Sequence, residues 1–172
     1  MDNFKVGDKI IYPNQGLGVI EDVQAEKHFG REFIIYSVRI LSNNALVKVP
    51  YSNFQEVGIR KPISEQTIEN IFELMRNGDV NIISNWKGRY KEHSSMLKSG
   101  GLNEVALVFK SLYCLNHAKP LSFREKKMME KAKDLLVTEI SEVTSLSCKE
   151  IEQKLLSNLT ESLKQHTPNL NS

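Results

Sequence analysis

Two hydrophobic periods run along this chain, and one gives way to the other near Lys61-Pro62. Before that point, short runs rich in Val, Ile, Tyr and Phe are separated by turn residues. Lys9-Ile10-Ile11-Tyr12 closes at Pro13-Asn14-Gln15-Gly16, Leu17 to Val23 follows, and Phe33 to Leu41 comes next. Ser42-Asn43-Asn44 then turns the chain into Leu46 to Pro50, and a last short run is Val57-Gly58-Ile59. Short strands with frequent turns predict a small, strongly curved antiparallel sheet.

After Pro62 the period is helical. Ser64 is a candidate N-cap, and Ile68, Ile71, Phe72 and Met75 form an i, i+3, i+4, i+7 stripe that Asn77-Gly78 ends. A second helix starts near Ser84 and stops at Ser99-Gly100-Gly101, and a third runs from Leu102 to Asn116. Pro120 and Ser122 open a fourth, whose apolar positions are Met128, Met129, Ala132, Leu135, Leu136 and Ile140. Ser147 caps a fifth, carrying Ile151, Leu155, Leu156, Leu159 and Leu163. The pattern therefore predicts an α+β chain: a β-domain over residues 1–62, an all-α five-helix domain over 63–165, and a flexible polar tail over 166–172.

Composition adds little to this. The 172 residues are 40% hydrophobic and 26% charged, with a formal net charge of only +2, so any surface for a polyanion must be local. The two cysteines, Cys114 and Cys148, have no partner at metal-ligand spacing and read as small buried hydrophobes. Without a disulfide framework, a leader, or a run near the roughly 18–20 apolar residues that span a bilayer, the expectation is a cytoplasmic protein away from the membrane. Enzyme signatures are lacking too. Gly16-Leu17-Gly18 sits between strands without the helix a phosphate loop needs, and His28, His93, His117 and His166 are scattered. Neither catalysis nor a cofactor is expected.

One segment stands apart. Asn85-Trp86-Lys87-Gly88-Arg89-Tyr90-Lys91 holds the only Trp, four residues before a Tyr, with three cations interleaved. From Trp86 to Lys98 there are four basic residues and one acid, a local excess of three that exceeds the net excess of the whole chain. On a helix Trp86, Tyr90 and Leu97 share a side, with Lys87, Lys91 and Lys98 beside them. Two readings follow: the aromatic side packs into the bundle, or Trp86, in the first turn, projects past it and wedges into an unstacked base step.

The same residues carry a family likeness. Phe4-Lys5-Val6-Gly7-Asp8-Lys9-Ile10-Ile11-Tyr12-Pro13 with Gly16, then Lys48-Val49-Pro50 and Val57-Gly58-Ile59-Arg60, resembles the start of CarD/CdnL transcription regulators. It also resembles the polymerase-interacting domain of transcription-repair coupling factors. Asn85-Trp86, Arg89-Tyr90-Lys91, Leu121-Ser122, Glu125-Lys126, Met129 and Ala132-Lys133 resemble the second half of CarD/CdnL proteins. The resemblance implies a Tudor-like N-terminal barrel that binds the β subunit of RNA polymerase, and a helical domain on promoter DNA at the upstream edge of the transcription bubble. There it would stabilise the open complex without reading sequence, as a nucleoid-associated monomer. It implies Trp86 as minor-groove wedge, Lys87, Arg89, Tyr90, Lys91 and Lys126 as DNA contacts, and Lys48 with Glu26 and Lys27 at the polymerase. Gly88 and Glu26 depart from the family pattern, which has basic residues at both places. The competing reading is a protein–protein adaptor with no DNA contact, in which Trp86 is core.

Overall fold

The computed structural model describes residues 4–77, 79–80 and 85–165. The expected helix start near Ser84, the stop at Gly78 and the tail 166–172 lie outside them. The chain divides into two compact units, Met1–Pro62 and Ile63–Ser172.

The first unit is built on four antiparallel strands, β1 (Lys9–Tyr12), β2 (Gly16–His28), β3 (Arg31–Ile40) and β4 (Leu46–Pro50), paired in chain order. Ile10, Ile20, Tyr36, Val38, Ile40 and Val49 alternate onto one face and bury there. This is the period-2 consequence of the pleat. Phe4, Phe54 and Ile59 close that core, with the Tyr36 and Phe54 rings 4.8 Å apart. Gly18 permits the close approach of β2 to β3, because a Cβ there would meet Val38 Cγ1 at 2.9 Å. The register slips by one residue between Ile20 and Asp22, a bulge of the kind that bends and twists a sheet.

Two expectations need correcting here. Val57-Gly58-Ile59 is not a strand. A 3-10 turn, Tyr51–Asn53, runs into a short helix, α1 (Phe54–Val57), and Gly58 caps it in the left-handed conformation at φ 80°. Val57 is β-branched, but the glycine behind it ends a helix as readily as it would break a strand. The sheet also does not close strand to strand among the described residues. Its free side is met instead by Arg60, which bridges to Ile11 through paired backbone hydrogen bonds of 2.7 and 3.3 Å.

In the second unit the described residues form five helices, α2 (Glu65–Asn77), α3 (Trp86–Ser99), α4 (Leu102–Ala118), α5 (Phe123–Val143) and α6 (Cys148–Gln165). Ile68, Ile71, Phe72 and Met75 are all buried, as their stripe predicts. They join Val105, Val108, Leu112, Leu136, Ile140, Ile151, Leu155 and Leu159 in one core. Truncating one of these side chains costs about 2–5 kcal/mol in such a setting. The core also holds a charge: Lys110 is buried and donates from Nζ to the carbonyls of Leu74 (2.7 Å) and Met75 (3.2 Å), satisfying oxygens in the last turn of α2. The cysteines depart from the buried reading: Cys114 is half-buried and Cys148, the first residue of α6, is exposed. Among the described residues no helix is long and apolar enough to cross a membrane.

Candidate functional site

The helical unit's candidate surface begins with two helix starts. Asn85 caps α3, its side-chain oxygen accepting from the Lys87 amide at 3.1 Å, so Trp86 takes the first helical position. Ser122 caps α5 through a full capping box. Its hydroxyl accepts from the Glu125 amide at 3.3 Å, and the Glu125 carboxylate receives the Ser122 amide at 3.3 Å. The spacing Ser122-x-x-Glu125 fixes this cap from sequence, and it leaves Phe123 at the first helical position.

Glu125 does more than cap. Its Oε1 accepts from Arg89 Nε at 2.8 Å and from Nη2 at 2.5 Å, in a pair whose side chains are 3% and 5% exposed. Burial pushes the Glu125 carboxyl up, but the hydrogen bonds from Arg89 and Ser122 outweigh it and hold the group below its ordinary value. The carboxylate stays charged, as its partner requires. A buried pair of this kind contributes little net stability, but it penalises every arrangement in which the two groups part. Here it pins the first turn of α3 to that of α5.

Against this frame, Trp86 is 49% exposed, and the packing alternative does not hold for it. The helical side shared with Tyr90 and Leu97 splits along its length: Leu97 is buried, Tyr90 packs partly against the core, and Trp86 stands out. Lys87 Nζ lies 6.0 Å from the Trp86 ring centroid. Lys87, Lys91 and Lys126 are exposed, and α3 carries no acid in its first turn. Arg89 is elsewhere. With its guanidinium committed to Glu125 inside the protein, it orients the helix that carries Trp86 and does not offer its charge to a phosphate. The fixed fork of five donors suits arginine to such a buried pair.

Next to this pair His93 is buried, one turn beyond Arg89, and its Nδ1 has no hydrogen-bond partner. Burial pushes its imidazole below the ordinary value. The nearby Glu92 and Glu125 charges act upward and the Arg89 charge downward.

In the strand unit the three candidate polymerase contacts do not form one cluster. Lys48 is exposed on β4 opposite Ser37, which in turn faces Asp22 on β2. Glu26 and Lys27 lie four and five residues further along β2, opposite Phe33 and Glu32. At about 3.4 Å per residue that is more than ~13 Å along the strand and two strands over. Glu26 is engaged by His28 at 2.8 Å, while Lys27 is exposed. What the sequence did not mark is the apolar dress of the hairpin: Phe33 and Ile34 are exposed, and Phe29 at the turn is fully so. In the sequence Phe33 and Ile34 only open the run to Leu41 that reads as a strand.

Comparison with known proteins covers both units. A family model described as CarD-like/TRCF RID domain matches residues 4–63, and one described as CarD, C-terminal domain matches residues 70–156. A putative transcription factor of Bacillus subtilis (strain 168), YdeB, is 28% identical over 149 residues, spanning 87% of this chain and 97% of its own. The solution NMR structure of the 72-residue N-terminal domain of Myxococcus xanthus CarD is 29% identical. It covers 34% of this chain and 79% of that one, with a TM-score of 0.30.

Proposed function

Starting from a chain that belongs to the CarD family, we propose a transcription regulator that holds RNA polymerase through Met1–Pro62 and promoter DNA through Ile63–Ser172. In this reading the strand unit is a Tudor-like module on the polymerase β subunit, with Lys48 and Lys27 supplying complementary charge. The helical unit lies at the upstream edge of the transcription bubble. Trp86 enters the minor groove as a wedge, and Lys87, Lys91 and Lys126 neutralise phosphates around it. The bubble is thereby held open without base-specific contacts.

The observation that carries this reading is Trp86 itself. It is a half-exposed indole at the first position of a helix, flanked by exposed lysines, on a turn fixed by a buried ion pair. The adaptor reading took Trp86 as core, and that premise fails on the exposure. The test uses the full chain with purified RNA polymerase and a promoter. Wild type lengthens the half-life of the open complex, Trp86→Ala loses that effect while still co-purifying with polymerase, and Lys48→Glu weakens co-purification. A wild-type protein that leaves the half-life unchanged refutes the proposal.

A further inference from the structure

The start of α5 repeats the features of the start of α3. Phe123 holds the first helical position, as Trp86 does, and is 71% exposed. Lys127 Nζ sits 4.6 Å from its ring centroid, as Lys87 sits over Trp86. Arg124, Lys126 and Lys127 are all exposed, three cations within the first five residues of a helix. That is the wrong sign for such a place, because the helix dipole favours anions at its N-terminus. The one acid of this turn, Glu125, is turned inward to Arg89 and the cap. What this turn leaves outside is three exposed cations around an exposed ring.

A single exposed apolar side chain is ordinary. The argument rests on the coincidence of position, cation and charge at two turns that the Arg89–Glu125 pair holds together. Trp86 lies three residues before Arg89, and Phe123 lies two before Glu125. At about 1.5 Å of rise per residue, each aromatic is within ~5 Å of the pair along its own helix. Two residues are about 200° of helical rotation, so Phe123 projects from the side of α5 away from Arg89. The two aromatics thus flank the pair and do not stack on one another.

We propose that Phe123 is a second DNA-contacting aromatic, which stacks on an unpaired base of a parted strand while Arg124 and Lys127 join Lys126 on its phosphates. The inference rests on the DNA reading given above and adds to it a role for the flank of α5. Base–aromatic stacking tolerates any sequence, and a ring among cations is how proteins track single strands.

The test is anisotropy of a labelled forked DNA, a duplex ending in two unpaired arms, against the same sequence fully paired, with the full chain at low salt. Phe123→Ala weakens fork binding about fivefold or more. It leaves the paired duplex within about twofold, and Phe123→Trp retains fork binding. Circular-dichroism melting of F123A stays at the wild-type midpoint because the ring is exposed. Full fork affinity in F123A, with W86A weakened, overturns this inference and leaves the DNA reading standing. An equal loss on fork and duplex overturns the stacking assignment, and a lowered melting midpoint makes Phe123 structural. If wild type binds neither DNA, both readings fall.

Discussion

The guanidinium of Arg89 and the carboxylate of Glu125, 36 positions apart in the chain, meet inside the helical unit at 2.5–2.8 Å. Each lies within one turn of the start of its helix, so the pair sets where the ends of α3 and α5 stand. Replacing one partner leaves the other charged and buried. Glu125→Leu should therefore cost about 3–5 kcal/mol, while Arg89→Met with Glu125→Leu should cost less than the sum of those two single changes. Denaturant unfolding of the three variants measures both. Additive losses would mean the two side chains do not act as a pair.

Acid should weaken the helical unit in two steps. His93 is buried and its ordinary value of 6.5 is lowered, so below that value an unfolded chain takes up a proton that the fold resists. Its contribution is complete above about pH 6.5 and is lost as pH falls towards the folded-state value. Glu125 is also lowered, from 4.5, and its contribution begins to disappear only below that point. His93→Leu should flatten stability between pH 7 and 5 and leave the lower step in place. Urea midpoints across pH read this directly, and a wild-type midpoint that rises on acidification to pH 5 would contradict it.

Trp86→Ala separates a surface role from a structural one. A buried Trp costs about 3–5 kcal/mol when truncated. A half-exposed one at a helix start should cost well under that, leaving the melting midpoint within a few degrees of wild type. Open-complex half-life should instead shorten by about tenfold for each 1.4 kcal/mol of lost contact.

Arg89's place in the interior also changes the expected response to salt. With Lys87, Lys91 and Lys126 as the phosphate contacts of the first site, affinity for paired DNA should fall by about 0.9 log units per contact per log unit of salt, a slope of roughly 2–3. Each single lysine-to-alanine change should reduce that slope by about one. Arg89→Lys should leave the slope unchanged and lower stability, since lysine cannot reproduce the two-donor contact with Glu125.

The sequence was most legible where one element's own periodicity decides burial. Ile68, Ile71, Phe72 and Met75 share a helix face, and that face is the core. It was less legible where burial depends on where the bundle ends. A helical wheel aligns Trp86 with Leu97 but cannot say that the first turn lies beyond the packed layer. Arg89 read as a surface cation because its partner is 36 residues away on another helix, out of reach of any local pattern. Phe123 was passed over for the converse reason, as a lone aromatic at a helix start carries no period. Val57-Gly58-Ile59 read as a strand because β-branched residues favour strands, and the left-handed turn at Gly58 that makes it a helix end is invisible in composition.

The hairpin of the strand unit has a consequence of its own. β1 reaches only Gly16–Val19 of β2, and β4 reaches only Ile35–Arg39 of β3. Beyond them, residues 25–28 and 31–34 pair with each other alone, as a two-stranded ribbon with most of its side chains exposed. Two strands by themselves are marginal in water. The chain therefore keeps two clocks: amides of the ribbon exchange with deuterium through brief local opening, while those of Ile20 and Val38 wait for the whole sheet to unfold. A partner that clamps the ribbon slows the first clock and leaves the second untouched, so it can be located by timing alone.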